Sequence, residues 1–424
     1  MNTDALVIGA GTAGLAAATR LAQGGLRVLV VATGEGCLPL ASGTVDVLGY
    51  APHRVTSPLE ALPGFLDANP EHPYRLAGAA GLERSVAWFL EVAEPLGYGG
   101  GLDRNRWVPT VLGGLRPTAL LPGSMSAADL GGGGEVVIAG IRGFRDFHPA
   151  LLAENLCQVA SATAKPIRAR ATELDWAGSA GDLVPFRLAR RLENEEIRRG
   201  LAAQLRERAG GAAAVGMPAI LGREKAAEVH ADLERRIGVP VFEIPGLPPS
   251  LPGLRLFDCL RRALRGAGGR LILGSSAISA SKKKDTVTAV TITQASRPVE
   301  VSAGFYVLAT GGFATGGIVR EPDGELREPV FGLPVHGLAP GQAAFGDEYL
   351  AEHPLDRVGL RTDADGRPLD ASGAAYADNL YAAGAALAGA LPWREKSGEG
   401  VSLATAWHAA EAILGTRFLA GRAA

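Results

Sequence analysis

The chain has 424 residues, enough for two or three structural units at about 150 residues each. Its 42 Lys and Arg nearly cancel 44 Asp and Glu, leaving a net charge of −2, so no overall field draws it to nucleic acid or to an anionic membrane surface. Cys37, Cys157 and Cys259 form no CxxC pair, which argues against a cysteine-held metal or iron–sulfur site, while 58 glycines in a chain that is 47% apolar point to repeated close backbone approach.

The first forty residues carry the clearest pattern. Ala5-Leu6-Val7-Ile8 reads as a buried parallel strand, Gly9-Ala10-Gly11-Thr12-Ala13-Gly14 as a turn, and Leu15 to Gln23 as a helix stopped by Gly24-Gly25. Leu26 to Val31 reads as a second strand, which makes the whole a βαβ unit around a GxGxxG turn. In that setting Gly9 permits the turn, Gly11 lets backbone approach a pyrophosphate, and Gly14 lets the helix close on the strand. No carboxylate ends the second strand to hold an adenosine ribose; Ala32 stands there, and Glu35 comes three residues late. Either Thr33 or a backbone group holds that ribose, or the ligand is a smaller flavin such as FMN; a strict NAD(H) site is disfavoured.

From Tyr50 to Gly253 the pattern is less regular. Ser85 to Leu96 reads as a helix, Glu135 to Ile141 as a buried strand, and Asn194 to Arg208 as a charged helix with a solvated face. Pro240 to Pro252, with five prolines in thirteen residues, reads as a rigid extended connection. Beyond it come a helix from Leu256 to Leu264, a strand from Arg270 to Leu273, and a hairpin of Thr286 to Thr293 with Val299 to Ser302. Phe305 to Leu308 is then a buried strand leaving through Ala309-Thr310-Gly311-Gly312, and Asn379 to Ala382 another leaving through Ala383-Gly384. A helix from Val401 to Leu414 follows Gly398 and Gly400. No apolar stretch reaches the ~18 residues of a spanning helix and MNTDALVIGAG carries no basic leader, so a cytoplasmic chain is expected, meeting a membrane only through a partner.

The two later exits resemble those of the glutathione-reductase-like flavoproteins. That resemblance implies an α/β fold: a Rossmann-like flavin-binding domain from residues 1–51 and 254–424, with residues 52–253 as an inserted α+β substrate or partner domain. It implies flavin contacts at Thr310, Gly311 and Gly384, and at Gly400 and Val401, where a helix N-terminus favours an anionic reduced ring. Ala385 stands where the class usually has an aspartate.

A narrower resemblance covers nearly the whole chain. Thr33-Gly34 with Ala41 to Leu48, Gly143-Phe144-Arg145-Asp146-Phe147, the VFEIPGLPPSLPGLRL block from Val241 to Leu256, and Ala309 to Phe313 with Gly316-Gly317 resemble the B-component family of anaerobic glycerol-3-phosphate dehydrogenases. It implies a flavin subunit that carries FMN, or alternatively FAD, and works with a FAD-bearing catalytic subunit and an iron–sulfur, membrane-anchoring subunit that passes electrons to quinone. Ser42, Gly43 and Thr44 are expected against the isoalloxazine. Oxidising the secondary alcohol of glycerol 3-phosphate needs a base and a cation for the phosphate; His148 beside Arg142 and Arg145 is the candidate set. A relay or scaffold subunit without turnover, and an independent fumarate-reductase-like enzyme, are the alternatives.

Overall fold

The computed structural model describes residues 1–159, 166–176, 183–295, 297–339 and 341–422, with the side chains of 418–422 left out. Asn2–Ile8 (β1), Thr12–Gln23 (α1) and Val28–Ala32 (β2) form the expected unit, with Ala5 opposite Val28 and Ile8 opposite Val31 in parallel register. Alanine-rich α1 is buried along most of its length because its small side chains let it lie between the sheet and the C-terminal helix. Pro58–Ala68 (α2) opens on the Ser57 hydroxyl, which accepts the Glu60 N–H at 3.3 Å. Tyr74–Val92 (α3) begins well before Ser85, across a break at Gly78 with φ of +61°. Leu62, Phe65, Leu82, Val86 and Phe89 of these helices share one core with α1 and the first strands.

Arg106–Pro109 (β3) and Leu115–Thr118 (β4) form an antiparallel hairpin. A second sheet follows with strands separated by helices: Gly134–Ile141 (β5), Pro149–Gln158 (α4), Ile167–Leu174 (β6), a short helix Pro185–Leu192 followed by Glu195–Arg208 (α5), Ala214–Pro218 (β7), Ala226–Ile237 (α6) and Val241–Ile244 (β8). Its four strands are all parallel, in the order β8-β7-β5-β6. Helix α5 differs from the expectation of a solvated helix. It buries Leu201, Leu205 and Arg198, whose Nε meets Asp232 of α6 at 2.9 Å; a charge can be interior when its partner comes from the neighbouring helix.

Leu251–Gly266 (α7) returns the chain to the first sheet, which Arg270–Leu273 (β9), Ala277–Lys283 (β10), Thr286–Gln294 (β11), Arg297–Leu308 (β12) and Leu380–Ala382 (β13) complete before Gly398–Arg422 (α8). The order is β9-β2-β1-β12-β11-β10, with β13 also paired to β12. The proline block is not one extended connection. Its first residues are β8, and Leu251-Pro252 already lie in α7, capped by Ser250; proline is tolerated before a strand and in a helix's first turn, where no N–H is needed.

Val299 to Ser302 and Phe305 to Leu308 also differ from expectation, being one strand. The first part of β12 pairs antiparallel with β11, Val301 opposite Val290, and the rest pairs parallel with β1, Ser302 opposite Asn2 through Leu308 opposite Ile8. Among the described residues no helix is long and apolar enough to cross a membrane.

Candidate functional site at the carboxyl edge of the seven-stranded sheet

Ile8 of β1 lies opposite Leu308 of β12, and Leu308 opposite Ala382 of β13, so the three glycine exits leave the sheet at one edge. Open α/β sheets bind ligands at that edge. Gly9 has φ of +112°, and a β-carbon on it would stand 2.1 Å from the Ala309 carbonyl oxygen. On Gly14 it would stand 2.0 Å from the Gly9 carbonyl oxygen. On Gly11 it would meet nothing within 4 Å, so the turn presents open backbone outward at the N-terminus of α1.

The other exits close in around it. Gly384, with φ of +74°, packs on Ala13 of α1, and its N–H donates to Thr405 Oγ1 of α8 at 2.8 Å. Gly311 has φ of +84°. Thr310 Oγ1 is buried with no hydrogen-bond partner among the described residues, an orphan hydroxyl beside the open turn. Thr33 is exposed just beyond β2, Ala32 is buried, and Gly36 arches back onto the Gly11 Cα. The open Gly11 backbone, the helix end and the orphan Thr310 hydroxyl fit the phosphate and polar edge of a flavin nucleotide.

A buried polar network adjoins this edge. Arg116 of β4 grips Asp46 with Nη1 at 2.8 and 3.1 Å, while Nη2 donates to Ser42 Oγ and Thr44 Oγ1, each at 2.7 Å. Ser42 and Thr44 hydroxyls lie 2.9 Å apart, and Thr44 donates to Asp46 at 3.1 Å. Between them Gly43, with φ of +76°, packs on Pro252 of α7 and accepts the Tyr98 hydroxyl through its carbonyl. Asp46 also receives the Gly400 N–H on its backbone carbonyl at 3.0 Å, which ties the network to the start of α8.

Glu399 stands in that first turn of α8, half-buried. Burial and then the Asp46 charge push its carboxyl up to about 7, outweighing Arg116 and the Glu399 and Asp46 N–H groups, which pull it down. Behind it, His72 Nε2 donates to Glu395 Oε2 at 3.3 Å, its tautomer fixed by the Tyr74 N–H on Nδ1.

The structure therefore brings together Gly9, Gly11, Gly14, Thr33, Ser42, Gly43, Thr44, Thr310, Gly311 and Gly384 around the edge and its network. Gly400 and Val401 are buried beside it; Gly400 packs against Tyr74 Oη and Val47, and the Val401 N–H donates to Ser397. Arg142, Arg145 and His148 lie exposed on the loop between β5 and α4 of the four-stranded sheet, with Arg142 paired to Asp175 at 2.9 Å. Arg116, Asp46 and Glu399 escaped the sequence reading as a group because a lone Arg gives no signal until folding brings it to a carboxylate 70 residues away. Beside Gly43 and Pro252, a cavity of about 110 Å³ is lined by Tyr98, Ser124, His230 and Arg255.

A model of the FAD binding domain family matches residues 4–401. The chain is 35% identical to the probable B component of anaerobic glycerol-3-phosphate dehydrogenase from Halobacterium salinarum, over 97% of this chain and 98% of that one. It is 34% identical to the B component of anaerobic glycerol-3-phosphate dehydrogenase from Pectobacterium atrosepticum, over 98% and 99%. Among solved structures it is similar to a 3-ketosteroid delta1-dehydrogenase from Sterolibacterium denitrificans at 14% identity, with a TM-score of 0.47 covering 98% of this chain and 100% of that one.

Proposed function

The chain belongs to the B-component family of anaerobic glycerol-3-phosphate dehydrogenases, flavin-dependent oxidoreductase subunits with an FAD binding domain, and from that premise we propose that it oxidises glycerol 3-phosphate to dihydroxyacetone phosphate and hands the electrons to partner subunits that reduce quinone. The observation that carries this reading is the convergence of three glycine exits on an open, helix-capped edge beside the Ser42–Thr44 network. The partners are a FAD-bearing subunit and an iron–sulfur, membrane-anchoring subunit; the chain would reach a membrane through them.

Bound flavin supplies a two-electron acceptor for the alcohol. Gly9, Gly11 and Gly14 shape the turn that receives its phosphate, and Thr33 borders the place of any adenosine. Thr310 and Gly311 offer a hydroxyl and a left-handed glycine turn at the second exit, and Gly384 the third. Ser42, Gly43 and Thr44 line the ring side, held by Arg116, while Gly400 and Val401 fix the start of α8. The finer reading of the cofactor is FMN, because neither Ala32 nor Ala385 supplies the carboxylate that would fasten an adenosine or the ribityl chain. Denaturing the purified protein and weighing the released flavin tests this: FMN is expected, and FAD would overturn the FMN assignment while leaving the oxidoreductase reading in place.

On the substrate side Arg145 and Arg142 are proposed for the phosphate and His148 for the hydroxyl proton. A second reading, an electron-relay subunit without turnover, is favoured by their exposure on the loop of the other sheet. The two separate in one anaerobic experiment on the flavin-loaded chain alone. Bleaching by glycerol 3-phosphate, with R145A raising KM more than tenfold and H148A lowering kcat, supports turnover; bleaching only in the presence of the partner subunits supports relay.

A further inference from the structure

Glu399 is a carboxyl in the first turn of a helix, where N–H groups ordinarily favour the ionised form. Here the surroundings oppose it. Arg116, the cation whose charge favours the ionised form of Glu399, is already committed to Asp46 by two hydrogen bonds and to Ser42 and Thr44 by two more. A guanidinium so engaged leaves little attraction for a second carboxylate. Other titratable groups feel the Glu399 charge from every side: Asp46 from the loop after β2, Cys37 ahead of it, Tyr74 at the start of α3 and Tyr98 beyond that helix. Apart from Arg116, none of these is a cation, and Glu395 behind them is occupied by His72 and Ser397. The network reaches the cofactor edge through α8: the Gly384 N–H at the third exit donates to Thr405 Oγ1, the Thr405 hydroxyl donates to the Val401 carbonyl, and the neighbouring Gly400 N–H, in the turn that carries Glu399, donates to the Asp46 carbonyl.

We infer that Glu399 holds the second proton of the reaction, changing from carboxylate to neutral acid when flavin at this edge is reduced. The inference rests on the reading above that the chain binds flavin there. Conversion of a secondary alcohol to a ketone releases two electrons and two protons; two electrons and one proton go to the flavin, the hydroxyl proton leaves through His148 to solvent, and a proton from solvent is held on a Glu399 oxygen. A negative charge added to the edge raises the proton affinity of the nearby carboxyl that no cation among the described residues holds, so uptake keeps the local charge unchanged. With its carboxyl pushed up to about 7 before any electrons arrive, Glu399 is already part ionised near neutral pH and able to respond.

The test is the midpoint potential of the flavin-loaded protein as a function of pH, read by spectroelectrochemistry with no substrate. Each proton taken up with two electrons contributes about 30 mV per pH unit. The wild type is expected to fall by about 60 mV per pH unit above pH 7, and Glu399→Gln by about 30. Glu399→Asp, which keeps an ionisable group, should retain the steep slope. Equal slopes in wild type and Glu399→Gln would overturn the inference, as would loss of the steep slope in both variants, since that would report damage to the edge and not a missing proton site. A preparation that takes up no flavin would overturn the underlying reading instead.

Discussion

At Gly9, Gly11 and Gly14 the same side chain is absent for different reasons, and substitution separates them. Gly9→Ala meets both a left-handed φ and the Ala309 carbonyl, so it should destabilise the fold by about 3 kcal/mol or more and abolish flavin retention. Gly11→Ala meets nothing and has φ of −75°; thermal unfolding should be nearly unchanged while flavin affinity falls at least tenfold. Equal loss of stability in both would refute the division. Glu399 makes a second prediction, for the apoprotein. Its folded-state pKa is raised from 4.5 to about 7, so its contribution to stability is complete below about 4.5 and disappears as pH climbs through 7. Denaturant unfolding at pH 5 and pH 8 should therefore show wild type losing more stability than Glu399→Gln over that interval; parallel behaviour would contradict the raised value.

At the scale of elements, a single buried amide fastens three strands. Asn379, just before β13, accepts the Val287 N–H of β11 at 2.9 Å and donates to the Val287 carbonyl at 2.9 Å and the Gly304 carbonyl of β12 at 3.1 Å. Asn379→Ala leaves buried backbone groups unpaired and should cost about 2–4 kcal/mol in denaturant unfolding, whereas Asn379→Ala with no change in midpoint would mean that water replaces the clamp. Local signals explain which elements the sequence announces. The Gly9 turn, its strand and its helix lie within thirty residues and each constrains the next, so the unit is readable from spacing. Continuity of β12 is not, because Ala303-Gly304 interrupts the apolar pattern and only the two different partners on either side keep the chain extended. Likewise Arg198 looks solvated until α6 supplies Asp232, and Arg116 looks ordinary until Asp46 is beside it.

For the whole molecule, the joint between the two sheets is a buried ion pair. Glu243 of β8 and Arg255 of α7 meet at 2.5 Å, both almost wholly enclosed; burial pushes the Glu243 carboxyl up, but Arg255 holds it below its ordinary range. The same guanidinium donates to the Gly222 carbonyl, so it stitches the four-stranded sheet to the helix that packs under Gly43. Removing one partner, as in Glu243→Gln, should cost about 3–5 kcal/mol, while Glu243→Met with Arg255→Leu should recover most of it. A double variant as unstable as the single would show that the Gly222 contact and not the ion pair is the joint.

The register of β12 has a further consequence for how the molecule is made. Strand β1 pairs at once with β2 but finds its second partner only when Ser302 and its successors exist, some three hundred residues after Asn2 has been synthesised. Until then the phosphate-binding turn leaves the ribosome with one strand edge open, while the four-stranded sheet, whose strands neighbour one another along the chain, can assemble behind it. Cofactor capture is thus a late event of biogenesis, and a chain truncated before β12 would be translated with its glycine turn intact and nothing to close it.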